Sequence, residues 1–253
     1  MIGNGYGLIS VCSGIAIHMT TIRRIGLCLM LLPTTLAGQS VIRYGDVTAC
    51  IANSQGALSV SYLHLWKLGA AKKFALGLGG RLTSYFGNNQ YYTTAPAELT
   101  SGGTGPGVIF KDDIIANIDS FLVRSPQANC LNISFNLEYP LSKKITAGFN
   151  IDMIGFSFGS SRSGTYINGT TSTPVNASPT PFNILLVSDN DRGSLNSEMY
   201  LRYFLNERIA IKLGAQFLFT EYTTTYNVQT YPSGNDRFRN KSLMVCLGVS
   251  KTL

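Results

Sequence analysis

Charged residues are scarce in this chain. They make up 13% of its 253 residues, about half the share of an ordinary soluble domain. Beyond the N-terminal segment, the sequence also lacks any run of 18 apolar residues that could form a membrane-spanning helix. Low charge without such a helix favours a transmembrane β-barrel, because each strand of a barrel faces lipid only with every second residue.

Histidine and cysteine are too rare to suggest catalysis or metal binding. After residue 37 the only histidine is His64, which lies near a short turn, and we interpret it as structural or interfacial. Three cysteines follow residue 37, namely Cys50, Cys130 and Cys246. Their odd number and irregular spacing fit neither a disulfide framework nor a zinc site. We therefore expect that the protein is not an enzyme and binds no cofactor. A disulfide could join Cys50 to Cys246 if their strands meet at barrel closure.

The N-terminus has the features of a secretory signal peptide. A short basic segment ends at Arg24, residues 25–32 are apolar, and small residues stand at positions −3 and −1 of a cleavage after Ala37. Residues 1–18 do not fit this scheme, so Met19 is predicted to be the true start. We therefore divide the chain into an exported leader and a mature protein that begins near residue 38.

The mature protein has a modest positive charge. Residues 1–37 hold two of the 20 basic residues and no acidic ones, which leaves 18 basic and 13 acidic residues and a net charge of +5. No basic run or basic stretch with interleaved aromatics is present, so nucleic acid is not an expected partner.

Alternation of apolar and polar residues is the main structural signal after residue 56. In the segment 74–86, for example, one row of alternate residues is mostly apolar and the other holds glycine, arginine, threonine and tyrosine. The pattern is weaker in 58–68 and weakest in Val41–Ile51. Counting both weak segments, we predict an all-β, up-and-down antiparallel barrel of about eight strands; the clearer strands are 74–86, 131–139, 145–153, 195–205, 209–219 and 243–250.

Connection lengths predict which end of the barrel is which. Short basic turns at 69–73, 142–144 and 206–208 alternate with long polar stretches. Outer-membrane barrels have short periplasmic turns and longer extracellular loops. The predicted extracellular loops are about 88–128, 160–192 and 225–238.

Four aromatic residues provide a second indication of a membrane span. Trp66, Phe74, Tyr139 and Tyr203 all flank short turns and all belong to apolar rows. Amphipathic rings favour the membrane–water interface. We therefore predict an aromatic girdle at the periplasmic interface.

The polar rows predict what fills the barrel. An eight-stranded barrel is only wide enough for its own side chains, and buried charges must be paired. Three cations and three anions would then cancel in a closed interior, which predicts a structural or surface-interaction protein. A narrow channel for small solutes and a soluble, lipocalin-like periplasmic barrel are the alternatives. The predicted charge network consists of Arg81, Arg202, Lys212, Glu138, Asp152 and Glu198.

Acidic residues in the predicted loops are weak candidates for metal ligands. Asp189, Asp191 and Asp236 could offer carboxylates to a hard cation. Asn, Asp and Gly are also ordinary turn residues, so we predict no metal site.

With the strands placed, the chain resembles the small OmpA/OmpX-type outer-membrane barrels and, more closely, porin-like outer-membrane barrels of Bacteroidetes-type bacteria. The resemblance covers about residues 54–253 and is carried by segments 77–86, 147–156 and 191–197. It implies a monomeric barrel in the outer membrane, inserted by the barrel-assembly machinery and in contact with outer-membrane lipid and lipopolysaccharide. It supplies no catalytic residue. The chain departs from the family in ending at Leu253, where such barrels normally end in an aromatic residue.

Overall fold

The computed structural model describes residues 40–69, 71–169, 171–186 and 188–253. The predicted leader and its cleavage site lie outside these residues. Val41–Leu253 forms an all-β unit in which thirteen strands make one antiparallel sheet. The strands are β1 (Val41–Ala52), β2 (Gln55–Leu68), β3 (Phe74–Gly87), β4 (Gln90–Thr94), β5 (Ser120–Val123), β6 (Gln127–Pro140), β7 (Ile145–Phe158), β8 (Arg162–Asn168), β9 (Thr171–Pro179), β10 (Phe182–Ile184), β11 (Asn196–Phe204), β12 (Ile209–Thr224) and β13 (Arg237–Thr252).

Within the residues that the structure describes, helical structure is confined to short segments. The α-helix α1 spans Ala97–Ser101, and 3-10 turns occur at Pro106–Phe110, Ile115–Asn117 and Ser188–Asn190. In the described part of the chain, no helix combines the length and apolar character needed to cross a bilayer.

The long strands close the sheet into a barrel. Strand β1 pairs with β2, β2 with β3, β3 with β6, β6 with β7, β7 with β11, β11 with β12, β12 with β13, and β13 with β1. The segment with the weakest alternation, Val41–Ile51, thus forms β1, the first barrel strand, which closes the barrel by pairing with the last strand, β13. Closure leaves neither β1 nor β13 with an open edge.

Alternate residues of each barrel strand point to opposite faces, as the pleat requires. On β13, Leu243 and Val245 are exposed on the outer face, whereas Met244 and Cys246 are buried inside. The pattern slips once, in β7, where Ser134 pairs with Asp152 but Ile133 pairs with Ile154. Met153 is therefore an extra, bulged residue.

This bulge corrects the predicted outer row of β7. In the sequence, the period of two in segment 145–153 predicts that Met153 shares an outer row with Phe149 and Ile151. Beyond the bulge the outer row instead continues through Ile154, Phe156 and Phe158, which are all exposed.

The connections segregate by length with one exception. Residues 69–73, 141–144 and 205–208 join strands at one end, the short-turn end, and the long connections lie at the other. Strands β1 and β2, however, are joined by Asn53 and Ser54 alone, at the long-connection end. The strict alternation of short and long connections is wrong at this hairpin, where Ser54 adopts φ 56° to close a tight turn.

The long connections are folded. Strand β13 pairs with β4, β4 with β5, β5 with β8, β8 with β9, and β9 with β12. Together with the paired ends of β12 and β13 they form a second, smaller ring beyond the barrel. The predicted loops at about 88–128 and 160–192 thus contain strands, and their residues alternate as strands require: Tyr92 is buried and Tyr91 is exposed. The apolar interior of the ring consists of Tyr92, Phe121, Val123, Tyr166, Val175, Ala177, Tyr222 and Phe238.

Candidate functional site: the charged interior of the barrel

Seven charged side chains meet inside the barrel. Each belongs to the inner row of its strand, and none is more than 3% exposed. The alternation of the strands alone places them there, because their neighbours in sequence occupy the outer row. They are Asp46 on β1, Arg81 on β3, Glu138 on β6, Asp152 on β7, Glu198 and Arg202 on β11, and Lys212 on β12.

These side chains form one continuous chain of ion pairs. Arg81 binds Asp152 at 2.5 Å and approaches Glu198 at 3.6 Å. Lys212 binds Glu198 at 2.8 Å and approaches Asp46 at 3.6 Å. Arg202 bridges Asp46, at 3.0 Å, and Glu138. The structure thus brings all six residues of the predicted network together.

Asp46 is the member that sequence reasoning missed. With it, four carboxylates face three cations, so the predicted exact cancellation of charge inside the barrel is wrong by one acid. The signal was present but short: Asp46, Thr48 and Cys50 alternate with Val47, Ala49 and Ile51. If Val41–Ile51 is taken as a regular strand, this alternation predicts Asp46 on the inner face.

Neutral polar groups complete the network. The Tyr200 hydroxyl donates to Glu138 at 2.7 Å, and Arg202 Nε donates to Ser250 Oγ at 2.9 Å. The guanidinium carbon of Arg202 also lies 3.9 Å from the centre of the Tyr44 ring, a cation–π distance. Charge-assisted hydrogen bonds of this kind are what a desolvated ion pair needs to offset its lost hydration.

Glycine makes room for the ring that holds Glu138. A Cβ added at Gly148 would lie 2.3 Å from the Tyr200 ring. Gly148 therefore lets a large aromatic side chain cross the interior at the level of the ion pairs.

Apolar layers lie on both sides of the network. Toward the short-turn end Tyr44, Leu63, Leu65 and Ala75 pack together. Toward the long-connection end lies a cluster of Cys50, Ala57, Tyr85, Leu218, Met244 and Cys246. On β1 the three groups follow one another as Tyr44, Asp46 and Cys50.

A disulfide lies in the second apolar layer. Cys50 and Cys246 face each other across the β1–β13 seam and are bonded, with a Cα–Cα distance of 4.0 Å and a sequence separation of 196. Cys130 is a free, buried thiol. The pairing that the sequence left open is therefore formed in the structure.

A second charged cluster lies where the barrel meets the smaller ring. The buried Glu221 binds Arg237 and Arg239, both at 2.8 Å. Asp189 binds Lys241 at 2.7 Å and approaches Arg239 at 3.6 Å. Glu221 belongs to β12 and Arg237 and Arg239 to β13, so these ion pairs join the two strands that both rings share, and Asp189 links the β10–β11 connection to β13.

The carboxylates proposed as weak metal ligands do not form a metal site. Asp189 pairs with Lys241, and Asp191 accepts the Leu186 N–H at 2.7 Å. Burial raises the pKa of the Asp191 carboxyl, against the lowering effects of that N–H and of Arg239. Asp236 does not complete a metal site with them, because the described residues contain no group of three or more His, Cys, Asp or Glu side chains that could hold a metal ion.

The four predicted girdle aromatics lie on the outer face at the short-turn end. Phe74, Tyr139 and Tyr203 are each between 41% and 46% exposed, and Trp66 is half-buried. The ring of His64 packs against that of Trp66 at 4.8 Å between centres, on the outer face and away from the buried charges. His64 has no place in the interior network.

Comparison with known proteins gives only distant structural similarity. No protein-family model matches the chain, and no curated protein matches it significantly. The N-terminal β-barrel domain of OprF from Pseudomonas aeruginosa is 9% identical, with 85% of this chain and 98% of that one covered and a TM-score of 0.34. Ail, the attachment invasion locus protein of Yersinia pestis, is 7% identical over 85% and 99% of the two chains, with a TM-score of 0.33. A major outer membrane protein from Thermus thermophilus is 14% identical over 85% and 100%, also with a TM-score of 0.33.

Proposed function

We propose that this chain is an integral outer-membrane β-barrel of eight membrane-spanning strands, with a closed interior, that acts as a structural or surface-interaction protein. The observation that carries the proposal is the inverted polarity of the barrel. Its inner rows bury seven charges, while its outer rows expose leucine, isoleucine, valine and phenylalanine side chains. Lipid is the solvent that suits such an outer wall.

The extent of the outer wall supports a span. Monomeric soluble proteins rarely expose contiguous apolar surface beyond a few hundred Å², yet here the exposed rows run along neighbouring strands. The eight barrel strands contain between nine and 16 residues, and a tilted strand needs about 9–11 to cross a bilayer. Exposed outer-row residues include Val47, Leu58, Val60, Leu82, Leu131, Ile133, Met199, Leu201, Leu213, Leu243, Val245 and Leu247.

The layered interior supports a closed barrel. A pore needs a continuous polar path, whereas here apolar clusters containing Leu65 and Met244 lie on either side of the ion pairs. Both side chains are almost fully buried. The same polarity argues against a lipocalin-like soluble barrel, which would need its apolar residues inside.

The smaller ring supports a surface-interaction role. It gives the long connections an apolar core of their own, and it leaves apolar side chains exposed in the segment after α1. Phe110 is 87% exposed and Ile115 is 77% exposed. We assign this end to the cell exterior and the short-turn end to the periplasm, which puts Trp66 and the other girdle aromatics at the periplasmic interface. Five further points stay predictions: export with cleavage after Ala37, a monomeric state, contact with lipopolysaccharide, assembly by the barrel-assembly machinery, and the closer likeness to Bacteroidetes-type barrels.

Conductance in planar bilayers tests the closed interior. Purified protein, shown to be folded by a gel mobility that changes on boiling, should give no steady current at concentrations where a conducting porin, added in parallel, does. Steady open-channel currents would refute the closed barrel and favour the narrow channel for small solutes.

A further inference from the structure

The positive charge of the protein is concentrated at the short-turn end. Eight cations lie there against one acid, Glu207. The barrel interior holds three cations and four acids, and the long-connection end seven cations and eight acids. The net charge of +5 is therefore less than the excess of seven at this one end. The eight cations are Arg43, Lys67, Lys72, Lys73, Lys143, Lys144, Arg208 and Lys251.

Among the described residues, these cations form no ion pairs. In the part of the chain that the structure describes, the ion pairs involve only the cations of the interior and of the long-connection end. Seven of the eight are exposed, and Lys67 is half-buried at the barrel mouth. Beside Lys67 a cavity of about 190 Å³ is also lined by Lys72, Lys73 and Lys143 and by one acid, Glu138, so four cations face one carboxyl group there. Their mutual repulsion favours binding of external anions.

The arrangement of the cations indicates what that anion is. They are spread around the barrel rim, on three turns and on the ends of β1, β2 and β13, instead of being gathered on one side. Arg43 and Lys251 lie on the outer wall, next to each other across the seam, because Lys251 pairs with Gly45 and Leu253 donates to the Arg43 carbonyl at 3.0 Å. Arg43 lies opposite His64, one outer-row position from the Trp66 ring.

We propose that the short-turn end binds the phosphates of anionic phospholipid headgroups in the leaflet that faces it. This inference rests on the proposed membrane span. The short-turn end continues the apolar outer surface of the barrel, so lipid headgroups surround it on every side. Long basic side chains beside interfacial aromatic residues can reach the phosphates of those headgroups. An acidic macromolecule would instead meet a patch on one side, which this ring of charges is not.

The single tryptophan of the chain, Trp66, reports on this layer. Protein is inserted into phosphatidylcholine vesicles that contain 20 mol% of either brominated phosphatidylglycerol or brominated phosphatidylcholine, and Trp66 fluorescence is recorded. We expect quenching by the brominated anionic lipid to exceed that by the brominated neutral lipid. The difference should correspond to an enrichment of anionic lipid around Trp66 of about fivefold over the bulk bilayer, the effect of one basic residue near an anionic surface. The enrichment should fall as salt screens the exposed charges.

A matched pair of variants tests the residues. Neutralising Arg43, one outer-row position from Trp66, together with two cations of the β2–β3 turn (Arg43→Gln, Lys72→Asn and Lys73→Gln) should bring the two quenching levels together. Neutralising three exposed cations of the other end (Lys111→Gln, Arg124→Gln and Arg192→Gln) should leave the preference intact. Asparagine is chosen at Lys72 because this residue adopts φ 47°.

The outcomes separate the two proposals. Equal quenching by both brominated lipids in the unaltered protein would overturn the headgroup inference while leaving the membrane span in place. So would a short-turn end that binds soluble polyglutamate but shows no lipid preference. Quenching by neither lipid would instead contradict the membrane span itself.

Discussion

At the scale of the residue, Arg202 is the most demanding side chain in the barrel. It is fully buried and bridges Asp46 and Glu138, on strands from different parts of the chain. Its desolvation is offset by those two carboxylates, by Ser250 and by the Tyr44 and Tyr200 rings. Removing a buried cation leaves its partners uncompensated, which costs more than the ion pair contributes when intact.

We predict that Arg202→Met lowers the free energy of unfolding by about 3–5 kcal/mol. The measurement is urea unfolding in detergent micelles, followed by tryptophan fluorescence. Arg192→Met, at an exposed arginine of the long-connection end, is the control and should change stability little. Equal stability of the two variants would show that the interior charges are hydrated and not enclosed.

Residue by residue, the sequence predicted the interior well where strands were regular. Arg81, Glu138 and Lys212 were placed inside by the period of two alone, which needs no knowledge of the neighbours. Asp46 was missed because its strand has few large apolar residues to mark the outer row. The pairing of these charges with one another depends on which strands are adjacent, and alternation says nothing about that.

At the scale of the element, the β1–β13 seam is covalently closed. The disulfide joins Cys50 and Cys246, directly opposite each other on the first and last barrel strands. A crosslink that spans nearly the whole chain removes many conformations from the unfolded state. Closing a loop of this length is therefore expected to stabilise the barrel.

Reduction of the unfolded protein before refolding should lower its stability by about 2–4 kcal/mol. The comparison is oxidised against reduced protein in the same urea titration. A Cys50→Ala/Cys246→Ala variant should have the lower stability already and show no further response to reductant. Because Cys130 is retained in that variant, a remaining response would assign the effect to Cys130 and not to the seam.

The second ring of strands is an element that composition concealed. Its segments are rich in Thr, Ser, Asn and Gly, which predicts irregular loops, yet the buried rows are aromatic. Phe121 is fully buried there and packs 5.5 Å from Phe238, between ring centres. The alternation of Tyr91 and Tyr92 was visible in the sequence, but strands this short pair only because β12 and β13 extend to meet them.

Phe121→Ala should loosen this ring without unfolding the barrel. Loss of a buried phenylalanine costs about 3–5 kcal/mol, enough to open a small unit. Limited proteolysis should then cut the connections between β4 and β9, while the barrel keeps the gel mobility of the folded form. Phe110→Ala, at a side chain that is 87% exposed, should leave the cleavage pattern unchanged. Cleavage equal in both variants would mean that the connections have no common core.

At the scale of the whole molecule, connection length and alternation were enough to predict a closed antiparallel barrel with distinct ends. The two-residue turn at Asn53 and Ser54 was not predicted, because the weak alternation of Val41–Ile51 left the first strand itself uncertain. The distribution of charge between the ends needed the strand assignments but no side-chain geometry. The bulge at Met153 could not be read from sequence, since only pairing with β6 reveals which residue is extra.

The most direct test of the account is where the protein is found and in what form. Fractionation of expressing Gram-negative cells, with gel mobility compared before and after boiling, reports both the compartment and the folded barrel. We expect the protein in the outer-membrane fraction, with a gel mobility that changes on boiling. Folded protein recovered from the soluble periplasm would contradict it.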